Sequence, residues 1–143
     1  MSSKHQPVTH PILTMTNPTE LYNPKPFAYS HITQVQHFSR IIHISGQGGE
    51  NAQGLLSNDF VQQLEQVLQN INHALSAVNA NFDDIAILRV LIVNHNAEKH
   101  QLLIQKMQSL WKNQEFPACT LIPVPCLALA DMQIEIEATA YCL

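Results

Sequence analysis

The chain has 143 residues and a mass of 16.1 kDa, which suits one domain able to bury about 70% of its unfolded surface. Seven Lys and Arg within a net charge of −4 leave no basic patch to track phosphates, which argues against tight nucleic-acid binding and leaves room only for a weak nuclease activity. Hydrophobic residues at 45% are ordinary for a globular protein, whereas charged residues at 13% fall well below the usual quarter, so the polar surface must be largely amide.

The N-terminal stretch MSSKHQPVTHPILTMTNP has one early Lys but no continuous apolar core, so no signal peptide is expected. Residues 1–26 hold Pro7, Pro11, Pro18, Pro24 and Pro26 with few large apolar residues, and read as an extended arm ahead of a domain over 27–143. HITQVQHF and RIIHISGQ are two β-leaning runs with a short polar turn near Ser39, which predicts a hairpin. GQGGENAQG follows as a glycine-bearing loop. It lacks the Lys and Ser/Thr of a phosphate-binding loop, and its spacing is wrong for one.

From Asn58 to Val78, Phe60, Leu64, Val67, Leu68, Ile71, Leu75 and Val78 recur at three- and four-residue steps, predicting an amphipathic helix capped by Ser57. DDIAILRVLIV is a strand with both faces apolar, hence central and covered on both sides. Leu103, Met107, Leu110 and Trp111 mark a second helix starting near Asn96. CTLIPV and MQIEIEATAYC close the chain as strands; in the latter Ile134, Ile136 and Ala138 alternate with Glu135, Glu137 and Thr139. The order β-β-α-β-α-β-β gives an α+β fold, a mixed sheet with two helices on one face. No third helix remains for the other face, so a second copy of the chain is its expected cover.

No apolar run is long enough to span a membrane. Cys119, Cys126 and Cys142 are too few and too odd in number for a disulfide framework, and fit a reducing, cytoplasmic setting. Among the eight histidines, His31, His37 and His43 spread across the expected hairpin, and His95 with His100 lacks the tight helical spacing of a zinc site, so no metal is expected.

YSH at 29–31, HISGQGG at 43–49, FPACTLIPV at 116–124 and IEIEATA at 134–140 occur in the order seen in the Rid/YjgF family, the reactive intermediate deaminases also labelled endoribonuclease L-PSP. The chain resembles that family from about Asn17 to its C-terminus. The resemblance implies a chorismate-mutase-like fold and a homotrimer, a trimeric barrel with three intersubunit clefts that each take a small molecule. It also implies hydrolysis of enamine or imine intermediates without a cofactor. By the same resemblance Tyr29, Ser45 and Gly46 line the cleft, and Glu135 handles the catalytic water with Ser45 nearby. Cys119 and its neighbour Thr120 complete the ligand-binding set.

Cys119 is the departure. It falls where deaminating members of the family have an arginine in a Pro-Ala-Arg triplet; here the triplet is Pro117-Ala118-Cys119. The arginine clamps the substrate carboxylate through two charge-assisted hydrogen bonds, which a mostly neutral thiol cannot do. Losing such a contact costs about 2–4 kcal/mol, roughly 30- to 1,000-fold. Arg40, at the expected hairpin turn, is too far away to replace it. Arg89 lies mid-strand among apolar neighbours, and has two readings: a structural ion pair with Glu135 or Glu137, or a relocated substrate clamp. Glu135 likewise reads as the wetter face of a strand or as a general acid–base. Cys119 reads as an inert pocket residue, or as a nucleophile needing His31 or His43 as its base. Three functions are compatible with this pattern: an enamine or imine hydrolase of altered substrate, a non-catalytic metabolite-binding or regulatory trimer, and, least supported, an endoribonuclease.

Overall fold

The computed structural model describes residues 11–143; the start of the arm, with Pro7, lies outside the described residues. A short strand β1 (Leu13–Thr16) lies within the arm and pairs antiparallel with β2 (Ile32–Val35), in register from Leu13 opposite Val35 to Thr16 opposite Ile32. The expected hairpin between β2 and the next strand, β3 (Arg40–Gln47), does not form. His37 takes φ 58°, in the left-handed region, and Ser39 N–H then donates to Cys142 O at 2.9 Å. The chain thus turns out of one ladder and into another, a partner choice that adjacency in sequence could not reveal.

The main sheet has four strands in the order β3-β6-β4-β5, with β4 spanning Ile85–Val93, β5 Ala118–Val124 and β6 Ile134–Cys142. β6 runs antiparallel to both β3 and β4, while β5 is parallel to β4. The two strands read as most regularly patterned, β4 and β6, occupy the centre. β5 is an edge, where Pro123 costs no ladder bond on its outer side.

Helix α1 (Phe60–Ala77) follows β3, and α2 (Ala97–Leu110) joins β4 to its parallel neighbour β5. Asp59, rather than Ser57, caps α1: its carboxylate accepts from Gln62 N–H at 3.0 Å. Ser57 Oγ instead accepts from Asp59 N–H and donates to Gln62 Oε1, one step outside the cap. Asn96 caps α2 by accepting from Lys99 N–H at 2.8 Å. Leu64, Val67, Ile71 and Leu75 of α1 are fully buried against Ile85, Val90, Ile134 and Ile136 of the sheet. Leu103, Ile104 and Met107 of α2 join the same core, so both helices cover one face. No helix among the described residues is long and apolar enough to cross a membrane.

Gln63 is the polar exception inside this core, with no exposure at all. Its amide donates to Ser57 O (2.7 Å) and Asp131 O (2.9 Å), and its carbonyl accepts from Gln133 N–H (2.9 Å). One side chain therefore fastens two long loops to α1, with every polar atom paired.

Among the described residues, nothing covers the opposite sheet face. Strand alternation puts Ile41, His43, Ile87, Arg89, Leu91, Glu135, Glu137 and Thr139 on it. Ile41 and Ile87 are 49% and 44% exposed. Arg89, expected buried, is not: it faces Glu137 directly across the ladder and pairs with it at 2.6 Å, the two side chains being 56% and 44% exposed. The face is therefore a mixed one, apolar at Ile87 and Leu91 and ionic between them.

Candidate functional site

The sequence-predicted residues fall into two groups on different strands and different faces. On the open face, Ser45 and Gly46 lie at the inner end of β3. The ladder there pairs Ile44 with Ala138 and Gln47 with Ile136, so two residues of β3 oppose one of β6. This bulge re-aims the strand, as bulges beside binding sites do. Glu135 lies across Gly46: a Cβ there would sit 1.8 Å from Glu135 Oε1, so only glycine lets the carboxylate occupy that place. Ser45, His43, Ile87, Arg89, Glu137 and Thr139 line an adjoining hollow of about 300 Å³. His43 Nδ1 is 3.3 Å from Thr139 Oγ1.

The second group sits at the other edge of the sheet. Ser30 N–H donates to Pro117 O (3.1 Å) and Ser30 Oγ to Phe116 O (2.6 Å), which ties the Tyr29–Ser30–His31 segment alongside the start of β5. Tyr29, Phe27 and Cys119 then enclose a cavity of about 290 Å³ with His100, Ile104 and Met107 of α2. The Tyr29 hydroxyl is hydrogen-bonded to that of Tyr22, and His31 Nε2 meets Tyr22 O at 2.8 Å. Cys119 stands in register with Leu88, on the helix-covered face, whereas Thr120 pairs with Arg89 and directs its side chain to the open face while bordering the cavity.

Burial pushes the Cys119 thiol up to about 12, so it stays protonated at neutral pH and is neither an anion clamp nor a ready nucleophile. The two bases considered for it are elsewhere. His43 is on the opposite edge strand and His31 is turned to Tyr22. Among the described residues, no Lys or Arg lines the Cys119 cavity. Arg40 is spent on backbone carbonyls, donating to Val78 O at 2.7 Å and Leu143 O at 3.0 Å, and Arg89 is held by Glu137. No three His, Cys, Asp or Glu side chains gather into a metal-binding group among the described residues.

Sequence reasoning missed Phe27, Met107 and His100 as cavity residues. The signal was available for two of them, because His100, Leu103, Ile104 and Met107 recur at helical spacing on one stripe of α2.

An α+β protomer with two helices on one face of a mixed sheet, and ligand-sized hollows at both edge strands, defines the class. The family model described as Endoribonuclease L-PSP matches residues 23–142. The chain belongs to this family, the Rid/YjgF proteins. Among solved structures it is similar to YyfB from Yersinia pestis, a Rid-family protein of unknown function, at 34% identity and TM-score 0.86, covering 92% of this chain and 99% of that one. YyfA from the same organism, also of unknown function, is 29% identical with TM-score 0.65, covering 79% and 86%. The YjgF gene product of E. coli shares the fold at 24% identity and TM-score 0.62, covering 74% and 84%. No curated protein matches the chain.

Proposed function

We propose that the protein is a cytoplasmic, small-molecule-binding homotrimer that hydrolyses an enamine, imine or related compound lacking the carboxylate of an imino acid. The observation that supports this most is the Cys119 cavity, with a protonated thiol at the anion-clamp position and no Lys or Arg among the described residues that line it. A carboxylate entering such a cavity would lose water with no charge in its lining to receive it, and Arg89, beside Ser45 across the shared cleft, is already held by Glu137. A neutral compound with an apolar body would not. Glu135, held over Gly46, and Ser45 are the groups to polarise the attacking water.

Sheet geometry supports the assembly. Strands are spaced about 4.8 Å apart, so β3 and β5, three steps apart, are separated by about 14 Å. Ser45 and Cys119 of one protomer cannot touch one small substrate, and a cleft that uses both takes them from two copies. The exposed Ile41 and Ile87 give the open face a reason to be covered. A mass near three protomers by light scattering is expected; a clean monomer at micromolar concentration would remove the shared cleft.

The test of function is a substrate panel with 2-aminoacrylate, bulkier imino acids and neutral imines. Turnover confined to neutral compounds supports the reading, and turnover of imino acids at rates typical of arginine-bearing enzymes refutes it. The second reading is a non-catalytic binding trimer. It is favoured by the placement of Cys119 and Glu135 on opposite sheet faces, and predicts ligand retention in the cavity with no turnover of any compound.

A further inference from the structure

Resting on the neutral-ligand reading above, we propose that His100 is the hydrogen-bonding anchor of the Cys119 cavity, so that the site selects a small apolar body carrying one uncharged polar group such as an amide.

The α2 stripe that faces β5 consists of His100, Leu103, Ile104 and Met107, and all four line the cavity. Three of them are core hydrophobes. The first, where the same spacing calls for another, is an imidazole. Among the described residues the His100 ring makes no hydrogen bond, while its backbone N–H donates to Asn96 O at 3.1 Å. Its ring contacts are aromatic, stacked on Phe27 with centroids 6.4 Å apart at 15° and edge-on to His95 at 5.6 Å.

The other polar groups of the cavity are occupied or weak. The Tyr29 hydroxyl is hydrogen-bonded to that of Tyr22, Thr120 directs its side chain to the open face, and the Cys119 thiol is a poor donor. Behind His100, His95 Nδ1 is buried with no partner among the described residues, so this corner holds more hydrogen-bonding capacity than those residues use. Native interiors rarely leave such groups unmet. A neutral imidazole offers one donor and one acceptor, which matches an amide or an imine nitrogen with an adjacent N–H. Size agrees: a dry cavity of about 150 Å³ holds benzene, so about 290 Å³ holds a substituted ring or a branched chain with a polar end.

The test measures binding of phenylacetamide and phenylacetate by ligand-observed NMR to the full-length wild-type protein and to His100→Leu and His100→Gln. Thermal melting and light scattering establish that each variant keeps the wild-type fold and mass. Wild type is expected to favour phenylacetamide by at least tenfold. His100→Leu, which completes the apolar stripe, should weaken phenylacetamide at least fivefold, and His100→Gln should stay within about twofold. Undiminished phenylacetamide binding by a folded His100→Leu overturns the anchor while leaving the neutral-ligand reading intact. A wild-type preference for phenylacetate overturns the neutral-ligand reading, and the histidine variants still decide whether His100 is the contact. No binding of either probe by wild type overturns the anchor inference, and the hydrolysis panel then judges the function alone.

Discussion

Cys119→Arg places a guanidinium in the cavity between α2 and β5, where deaminating relatives keep theirs. The cavity of about 290 Å³ has room for the longer side chain, and Leu103, Ile104 and Met107 would receive its methylenes. Leu121, on the same strand face two residues on, is the side chain that must yield; Phe116 is fully buried in the core and does not line the space. A bidentate carboxylate contact is worth about 2–4 kcal/mol, against which stands the cost of a charge beside aliphatic walls. A net gain of at least about 1.4 kcal/mol in the transition state remains, or tenfold in kcat/KM for a small imino acid. Steady-state hydrolysis assays on trimeric wild type, Cys119→Arg and Cys119→Met measure it. Cys119→Met has a similar reach without charge and should give no gain. A folded Cys119→Arg of unchanged mass and no improved turnover would refute the reasoning, because the rest of the anion site would then have diverged too.

Gln63→Leu should be a costly change in the core although it adds no cavity. It removes three hydrogen bonds worth about 1 kcal/mol each, and with an unfolding entropy of about 2.1 cal/mol/K per residue Tm should fall by about 10 °C; a loss under 3 °C by calorimetry would mean the loops are held by something else. Gly46→Ala drives a Cβ into the place of the Glu135 carboxylate, so melting should move by only a few degrees while turnover of any substrate found by the panel drops at least tenfold, as in Glu135→Gln. Unchanged turnover would take Glu135 out of the chemistry. Iodoacetamide at pH 8 should alkylate exposed Cys126 in the native protein and leave Cys119 untouched until unfolding. Because the folded-state pKa of Cys119 is raised from 9.0 to about 12, its contribution to stability is complete below about pH 9 and is lost as pH climbs towards 12. Cys119→Ala should flatten that alkaline decline in denaturant melts, and an unaltered slope would assign the decline to other groups.

Periodicity made both helices and the two central strands legible, because a buried stripe or an alternating face leaves a direct mark on residue order. Ile134, Ile136 and Ala138 alternate with Glu135, Glu137 and Thr139 in the sequence, and in the strand one set is buried and the other half-exposed. Pairing left no such mark. β2 satisfies its ladder with Leu13–Thr16, a run too short and too mixed to read as a strand, and the left-handed His37 redirects the chain before a hairpin can close. The cap at Asp59 was misplaced by two residues since Ser57, Asn58 and Asp59 are all capping types, and geometry alone selects among them. Arg89 was legible as half of an ion pair but not as a surface one, because a single sequence does not say which side of a strand the helices will cover.

The same uncovered side links the site to the assembly. Ser45 and Gly46 lie on one edge strand, Cys119 on the other, and Glu135 two strands from Cys119 on the opposite face. In the proposed trimer each cleft borrows one edge from each of two copies, so the open face that holds the copies together also sets the distance between the two halves of the site. In that trimer Ile41, Ile87 and the Arg89–Glu137 pair act on ligand binding by fixing how two protomers meet, the last three from beside Ser45 itself. An exposed ion pair of this kind is worth under about 1 kcal/mol to a lone protomer. Its weight lies in orientation, since a register error of one residue along a strand, about 3.3 Å, already exceeds the tolerance of a hydrogen-bonded site.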